Sequence, residues 1–206
     1  MRTIKKITLG FCLFLSLQSF TQETKPMKDA FTNSFLFESK TMYLDAIKVM
    51  KDVYSDKSYL INARLGWLCY LNKEYLNSVT YYKKAAELNP KATEPLWGLV
   101  MPLIAQEKWT EVEAVYLNIV RFDPKNSLVN YRLGMIYYYR KNYTEALKYF
   151  DVTLTLYPFD YDSMIMSAWT TYFLGRKEEA KVLFTRVLII YQSDPSGLEG
   201  EELCKK

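Results

Sequence analysis

The chain has 206 residues, half of them hydrophobic and 16% aromatic, with a formal net charge of +4. That composition excludes intrinsic disorder and can build one sizeable core or one short array of repeats. The complete absence of histidine removes the commonest general base, the triads that depend on it and most zinc sites.

The first 21 residues open with Arg2, Lys5 and Lys6, run apolar from Ile7 to Leu17, and then turn polar. An apolar run of about eleven residues falls short of the ~20 that a membrane-spanning helix needs. With its basic start and the small residues Ser19 and Thr21, the segment reads as a secretory signal peptide cleaved after Thr21, so the mature chain is exported, periplasmic or secreted. An uncleaved membrane anchor shares this design and is the less favoured alternative. Cleavage leaves 24 Lys and Arg against 23 Asp and Glu, which gives no electrostatic case for nucleic acid or an anionic membrane surface. Export would permit a disulfide, but Cys69 and Cys204 are too few and too distant in sequence to make a framework. Cys69 reads as a small core residue of a helix.

Residues 22–58 form a helical segment. Within it Tyr43, Ala46, Met50 and Val53 are spaced like the second helix of a degenerate repeat, at 27–58. From there a period of 34 residues governs the chain. Pro90, Pro124 and Pro158 mark blocks 59–92, 93–126 and 127–160, and a looser block follows at 161–194, whose proline arrives late, at Pro195. Each block offers a helix, a turn, a second helix and a stop. Fixed self-similarity of this length marks a stacked repeat architecture.

Other positions keep the same register. Leu65-Gly66 matches Leu133-Gly134; Tyr75, Trp109 and Tyr143 open second helices; Ser78 and Ala146 share a small site; Tyr82, Tyr116 and Phe150 share an aromatic one. A small residue lets two helix axes approach, the ring fills the space beside the contact, and the proline stops the second helix. Block two departs from this pattern with Val100, Val112 and Ile119, and Pro102 is expected to kink or split its first helix. The tail, 195–206, is polar and reads as a frayed end or a short capping helix.

This combination resembles the tetratricopeptide repeat family. It rests on Leu65-Gly66, Tyr75, Tyr82, Ala85 and Pro90 in one block, and on Leu133-Gly134, Tyr137, Tyr143, Ala146, Phe150 and Pro158 in another. The resemblance implies an all-α, right-handed superhelical stack of antiparallel helix pairs, with about four repeats and a degenerate one ahead of them. It also implies a concave surface lined by the second, fifth, ninth, twelfth and thirteenth positions of each block. Those are Leu60, Ala63, Trp67, Tyr70 and Leu71 in the first block. The second has Glu94, Trp97, Met101, Ile104 and Ala105. The third has Leu128, Tyr131, Met135, Tyr138 and Tyr139, and the fourth Asp162, Ile165, Trp169, Tyr172 and Phe173.

That surface is nearly all apolar or aromatic. It lacks the Lys, Arg and Asn with which some relatives hold chain-terminal carboxylates, so a carboxylate-clamp ligand is not expected. The candidate ligand-binding residues are Trp67, Tyr70, Trp97, Met101, Tyr131, Met135, Tyr138, Ile165, Trp169 and Tyr172. Trp, Tyr and Met are enriched in contact surfaces, and an apolar stripe of this size marks an interaction site. Three occupants fit: an apolar peptide or helix of another protein, a second copy of the chain, or the segment FTNSFLFESK folding over the groove with Phe31, Phe35 and Phe37. No glycine-rich phosphate loop or calcium-loop pattern occurs. The expectation is a non-enzymatic interaction module with no cofactor, no metal and no catalytic residue.

Overall fold

In the computed structural model, residues 25–205 are described, and their regular structure is entirely helical. The signal segment and its cleavage site lie outside those residues. The chain divides into two compact units between Gln106 and Glu107, inside the second block.

In the first unit, helix α1 spans 25–39 and is followed by α2 (Tyr43–Lys51), α3 (Tyr59–Leu71), α4 (Tyr75–Leu88) and α5 (Glu94–Ile104). The core joins Ala30 of α1, Ala46, Ile47 and Met50 of α2, and Ile61, Leu65, Leu68 and Cys69 of α3, with Phe31 and Phe37 packed against it. The segment ahead of the 34-residue blocks thus holds two helices, the second of which begins at Tyr43. Helix α3 packs on α4, and α5 packs on both. The small-residue logic is visible at Gly66, where the Ser78 hydroxyl donates to the Gly66 carbonyl at 2.7 Å. Pro102 does not split α5, which runs unbroken from Glu94 to Ile104. It stands so near the end of the helix that little of the hydrogen-bond ladder is left for it to disrupt.

In the second unit, α6 (Trp109–Phe122), α7 (Ser127–Tyr139), α8 (Tyr143–Leu156), α9 (Tyr161–Phe173) and α10 (Lys177–Ile190) follow one another. The tail then forms a helix, α11 (Pro195–Leu203). α7 packs on α8, α8 on α9, α9 on α10, and α11 on both α9 and α10. Gly200 of α11 lies so close to Phe184 that an added Cβ would stand 2.2 Å from the ring. The glycine-containing tail is thus a packed helix rather than a frayed end. Phe150, Phe184, Ala146 and Ala180 are fully buried, so the small and aromatic sites of both hairpins are core.

Two periodic features set the ends of the helices. Ser58, Asn126, Asp160 and Asp194 each accept, through a side-chain oxygen, the backbone N–H three residues on. Each thereby satisfies a donor that the first helical turn leaves open. Thr41, Lys73, Glu107, Lys141 and Gly175 occupy the same turn position in successive hairpins, all with φ between 55° and 77°. α10 stops at Ile190 in the register of Leu156 and Phe122, with Tyr191 adopting a C-cap like those of Tyr157 and Asp123. It does so without a proline two residues beyond its end. Packing and the cap thus end the helix, and the proline reinforces an end already made.

Candidate aromatic binding faces

Each unit carries an aromatic face on its leading helices. In the first, Leu60, Trp67 and Met101 are exposed, while Tyr70 and Trp97 are half-buried. The Trp67 ring lies 5.8 Å from that of Tyr70, which lies 6.1 Å from Tyr75. The Trp67 indole N–H donates to Glu38 of α1 at 2.7 Å. Glu38 also pairs with Arg64, and the Arg64 Nε–H donates to the buried Ser34 hydroxyl while its guanidinium covers the Phe35 ring at 3.9 Å. The segment around Phe35 therefore stands beside α3. Trp67 keeps 39% and Phe35 56% of their surface open, so the described residues do not lid this face.

In the second unit the rings form a continuous chain. Tyr139 meets Tyr138 edge-on at 5.7 Å, and Tyr138 meets Phe173 at 6.1 Å, joining α7 to α9. Phe173 stacks on Tyr143 at 5.2 Å and on Trp169 at 6.0 Å, with Tyr172 edge-on at 5.5 Å. Tyr139 remains 75% exposed and Phe173 45% exposed. Such contacts hold the rings in fixed orientations while leaving area for a ligand. Tyr131 and Met135 are half-buried on α7. Burial pushes the Tyr131 hydroxyl above its usual pKa, helped by the nearby Asp162 carboxylate.

Two of the ten candidate residues are placed differently from the sequence reading. Ile165 is buried in the core with Met164, Ala168, Ala180, Phe184 and Val187. The fifth position of α9 is drawn inward there and offers nothing to a ligand. Trp169 is half-buried: it meets Phe184 edge-on at 4.9 Å, and its indole N–H donates to the Ser196 hydroxyl of α11 at 2.7 Å. Its polar edge is satisfied internally, leaving only apolar area. Conversely, Tyr139 and Phe173 carry most of the open ring area. Both stand at concave positions of the repeat, and nothing in their spacing ranks them above their neighbours.

The tyrosines crowded into α7 divide by job. Tyr137 stacks parallel on Tyr149 at 5.5 Å and hydrogen-bonds to Glu113 of α6, a bond that, with burial, raises its pKa. Burial alone would raise the Glu113 carboxyl, but the hydrogen bonds from Tyr137 and Arg140 outweigh it and hold the carboxyl below its usual value. Tyr137 is structural, whereas Tyr138 and Tyr139 belong to the open face. Burial pushes the Cys69 thiol up to about 12, leaving it a protonated core group. Among the described residues no group of His, Cys, Asp and Glu is placed to hold a metal ion, and no helix is long and apolar enough to cross a membrane.

The tetratricopeptide repeat family model matches residues 60–92 and 127–160. These two segments are tetratricopeptide repeats, and such repeats generally serve as protein-interaction scaffolds. The chain is 29% identical over 121 residues to the uncharacterized protein ycf37 of Cyanophora paradoxa, an alignment covering 56% of this chain and 70% of that one. Its fold is similar to the crystal structure of a tetratricopeptide repeat protein from Parabacteroides merdae, with TM-score 0.69, 16% identity, and coverage of 87% and 72% of the two chains. It is also similar to YrrB, described as a tetratricopeptide repeat protein with an unusual peptide-binding site, at TM-score 0.65, 14% identity, and coverage of 82% and 88%.

Proposed function

We propose that this chain is an exported, non-enzymatic interaction module that takes up an apolar peptide or helix of a partner protein on the aromatic faces of its leading helices. The observation that carries the reading is the linked row Tyr139, Tyr138, Phe173 and Trp169, held ring against ring across α7 and α9 yet still open at Tyr139 and Phe173. A row of rings buys little as core when its outer members face water. Covered by a partner, each 100 Å² of apolar area contributes about 2.5 kcal/mol before the costs of association. Trp67, Tyr70, Trp97 and Met101 offer a second face of the same chemistry on the first unit. The peptide-binding site described for YrrB agrees with this class of ligand.

The test is a fluorescence titration of the purified chain with an amphipathic, leucine-faced helical peptide, repeated with the variant Tyr139→Ser/Phe173→Ser. Both residues are exposed, so the variant is expected to keep its helical circular dichroism and to bind at least tenfold more weakly. Unchanged affinity in a folded variant would reject the reading.

A further inference from the structure

We propose that the second unit pairs with a second copy of this chain through the edge where α8 passes into α9 and α10 into α11. Tyr157, Phe159, Ile190 and Tyr191 form the centre of the contact. This edge is separate from the ring row of α7 and α9 and does not depend on that row taking a ligand.

Printed contacts bring the four residues together. Arg186 of α10 donates from Nη2 to the Pro158 carbonyl at 3.2 Å, which sets α10 beside the turn that carries Tyr157 and Phe159. Ile190 stands one helical turn beyond Arg186, on the same face of α10. The Tyr191 ring meets that of Tyr161 edge-on at 5.0 Å, and the Tyr161 hydroxyl donates to Asp194 at 2.6 Å. The ends of α8 and α10 and the starts of α9 and α11 therefore share one edge. Phe159 keeps 69% and Tyr157 57% of its surface open, and Ile190 and Tyr191 are exposed beside them.

The other hairpins show that these rings are not needed for folding. The turns at 89–91 and 123–125 read Asn-Pro-Lys and Asp-Pro-Lys where 157–159 reads Tyr-Pro-Phe. Asn89, Asp123 and Tyr157 adopt one backbone conformation, with φ between −137° and −130° and ψ between 79° and 82°. In each turn their carbonyl accepts the N–H three residues on, at 3.0–3.1 Å. A polar side chain makes the same turn, so the two rings stand in water without adding to the core.

Area and charge choose the occupant. At ~150–250 Å² for a fully exposed ring, Tyr157, Phe159 and Tyr191 leave about 350 Å² open between them, a patch of the size that soluble chains put to use as contacts. Two copies face to face bury roughly twice that at the centre, short of the ~1,600 Å² of a standard complex. The pair is therefore a weak dimer that forms as concentration rises. The charges beside the rings carry both signs. Arg186 spends its N–H on a neutral carbonyl, while the carboxylates of Asp160 and Asp194 cap α9 and α11. A two-fold axis lets an edge of mixed sign oppose each charge to its opposite, whereas an anionic lipid surface would meet two carboxylates for one guanidinium.

Sedimentation equilibrium of the purified chain over a wide concentration range is compared with that of Tyr157→Asn/Phe159→Lys, which copies the turn at 89–91. The unaltered chain should show a mass that rises from one chain toward two. The turn variant should associate at least about tenfold more weakly, with the same helical circular dichroism and the same binding of the leucine-faced peptide. Tyr139→Ser/Phe173→Ser should dimerise as the unaltered chain does. A concentration-independent monomer overturns the proposal, as does a dimer that survives in the turn variant or is lost in the Tyr139 and Phe173 variant. It is equally overturned by a chain that stays monomeric yet binds phosphatidylcholine vesicles only with Tyr157 and Phe159 in place, which would make the edge a lipid contact.

Discussion

Replacing Gly98 by alanine destabilises the first unit, although helix propensity alone argues the opposite. An alanine gains about 0.5–1 kcal/mol over glycine inside a helix. At Gly98, however, a Cβ would stand 2.2 Å from Cε1 and 2.4 Å from Cζ of Tyr82, where ordinary contact lies near ~3.5–4.0 Å. Tyr82 has no room to retreat, because it is 6% exposed and a Cβ at Gly66, on its other side, would be only 2.8 Å away. Two glycines on α3 and α5 thus clamp one ring. Overpacking of this kind costs about 1–3 kcal/mol, so the expected net loss is about 1–2 kcal/mol. In a unit of roughly 100 residues that lowers the midpoint by about 5–10 °C. Urea and thermal denaturation followed by circular dichroism measure the effect, and the same substitution in a Tyr82→Leu background should lose at least half its penalty. If Gly98→Ala stabilises the protein, or its penalty is the same with and without the ring, the clamp is not what selects glycine here.

Gly175→Ala meets open space on every side, yet its φ of 77° is left-handed; the expected cost, read by the same melts, is about 1 kcal/mol from the backbone alone. Arg64→Ala leaves Glu38 without its ion partner and Phe35 without its cover, and should cost about 2 kcal/mol, less than a fully buried pair because Glu38 keeps some solvent. The Glu113 carboxyl is depressed below its ordinary 4.5 in the folded chain. Its stabilising contribution is therefore complete above about pH 4.5 and fades as pH falls through the lower folded value. Glu113→Gln should flatten the acid limb of a stability-against-pH curve and leave the neutral plateau lower. Cys69, fully buried and with its pKa raised to about 12, should resist a thiol reagent at pH 8 in native buffer and react promptly in urea.

The fold was legible because the repeat writes each contact several times. Pro90, Pro124 and Pro158, the pair Gly66 and Gly134, and the ring site Tyr82, Tyr116 and Phe150 agreed in register, and all three ring sites proved buried. The 34-residue spacing of Asn126, Asp160 and Asp194 was also present in the sequence, and it decides between the two readings of the tail, a frayed end or a short capping helix, in favour of the helix α11. Gly98 and Gly200 were not legible as packing sites, because each faces a ring of the preceding hairpin and the repeat pattern emphasises contacts within one. The site was less readable than the fold. Ten residues were singled out from one idealised face, but Ile165 turned into the core and Trp169 lost its polar edge to Ser196. Both displacements follow from α10 and α11 packing on α9, and a single helix pattern carries no record of that.

Placement of a photo-crosslinking benzoylphenylalanine at 139 or 173, and separately at the exposed Val182 and Ile189 of α10, tests the central claim most directly. With the leucine-faced peptide present, the account predicts covalent adducts from 139 and 173 that unlabelled peptide competes away, and none from 182 or 189. Adducts from 182 or 189 with none from 139 and 173 would place binding on another surface and contradict it.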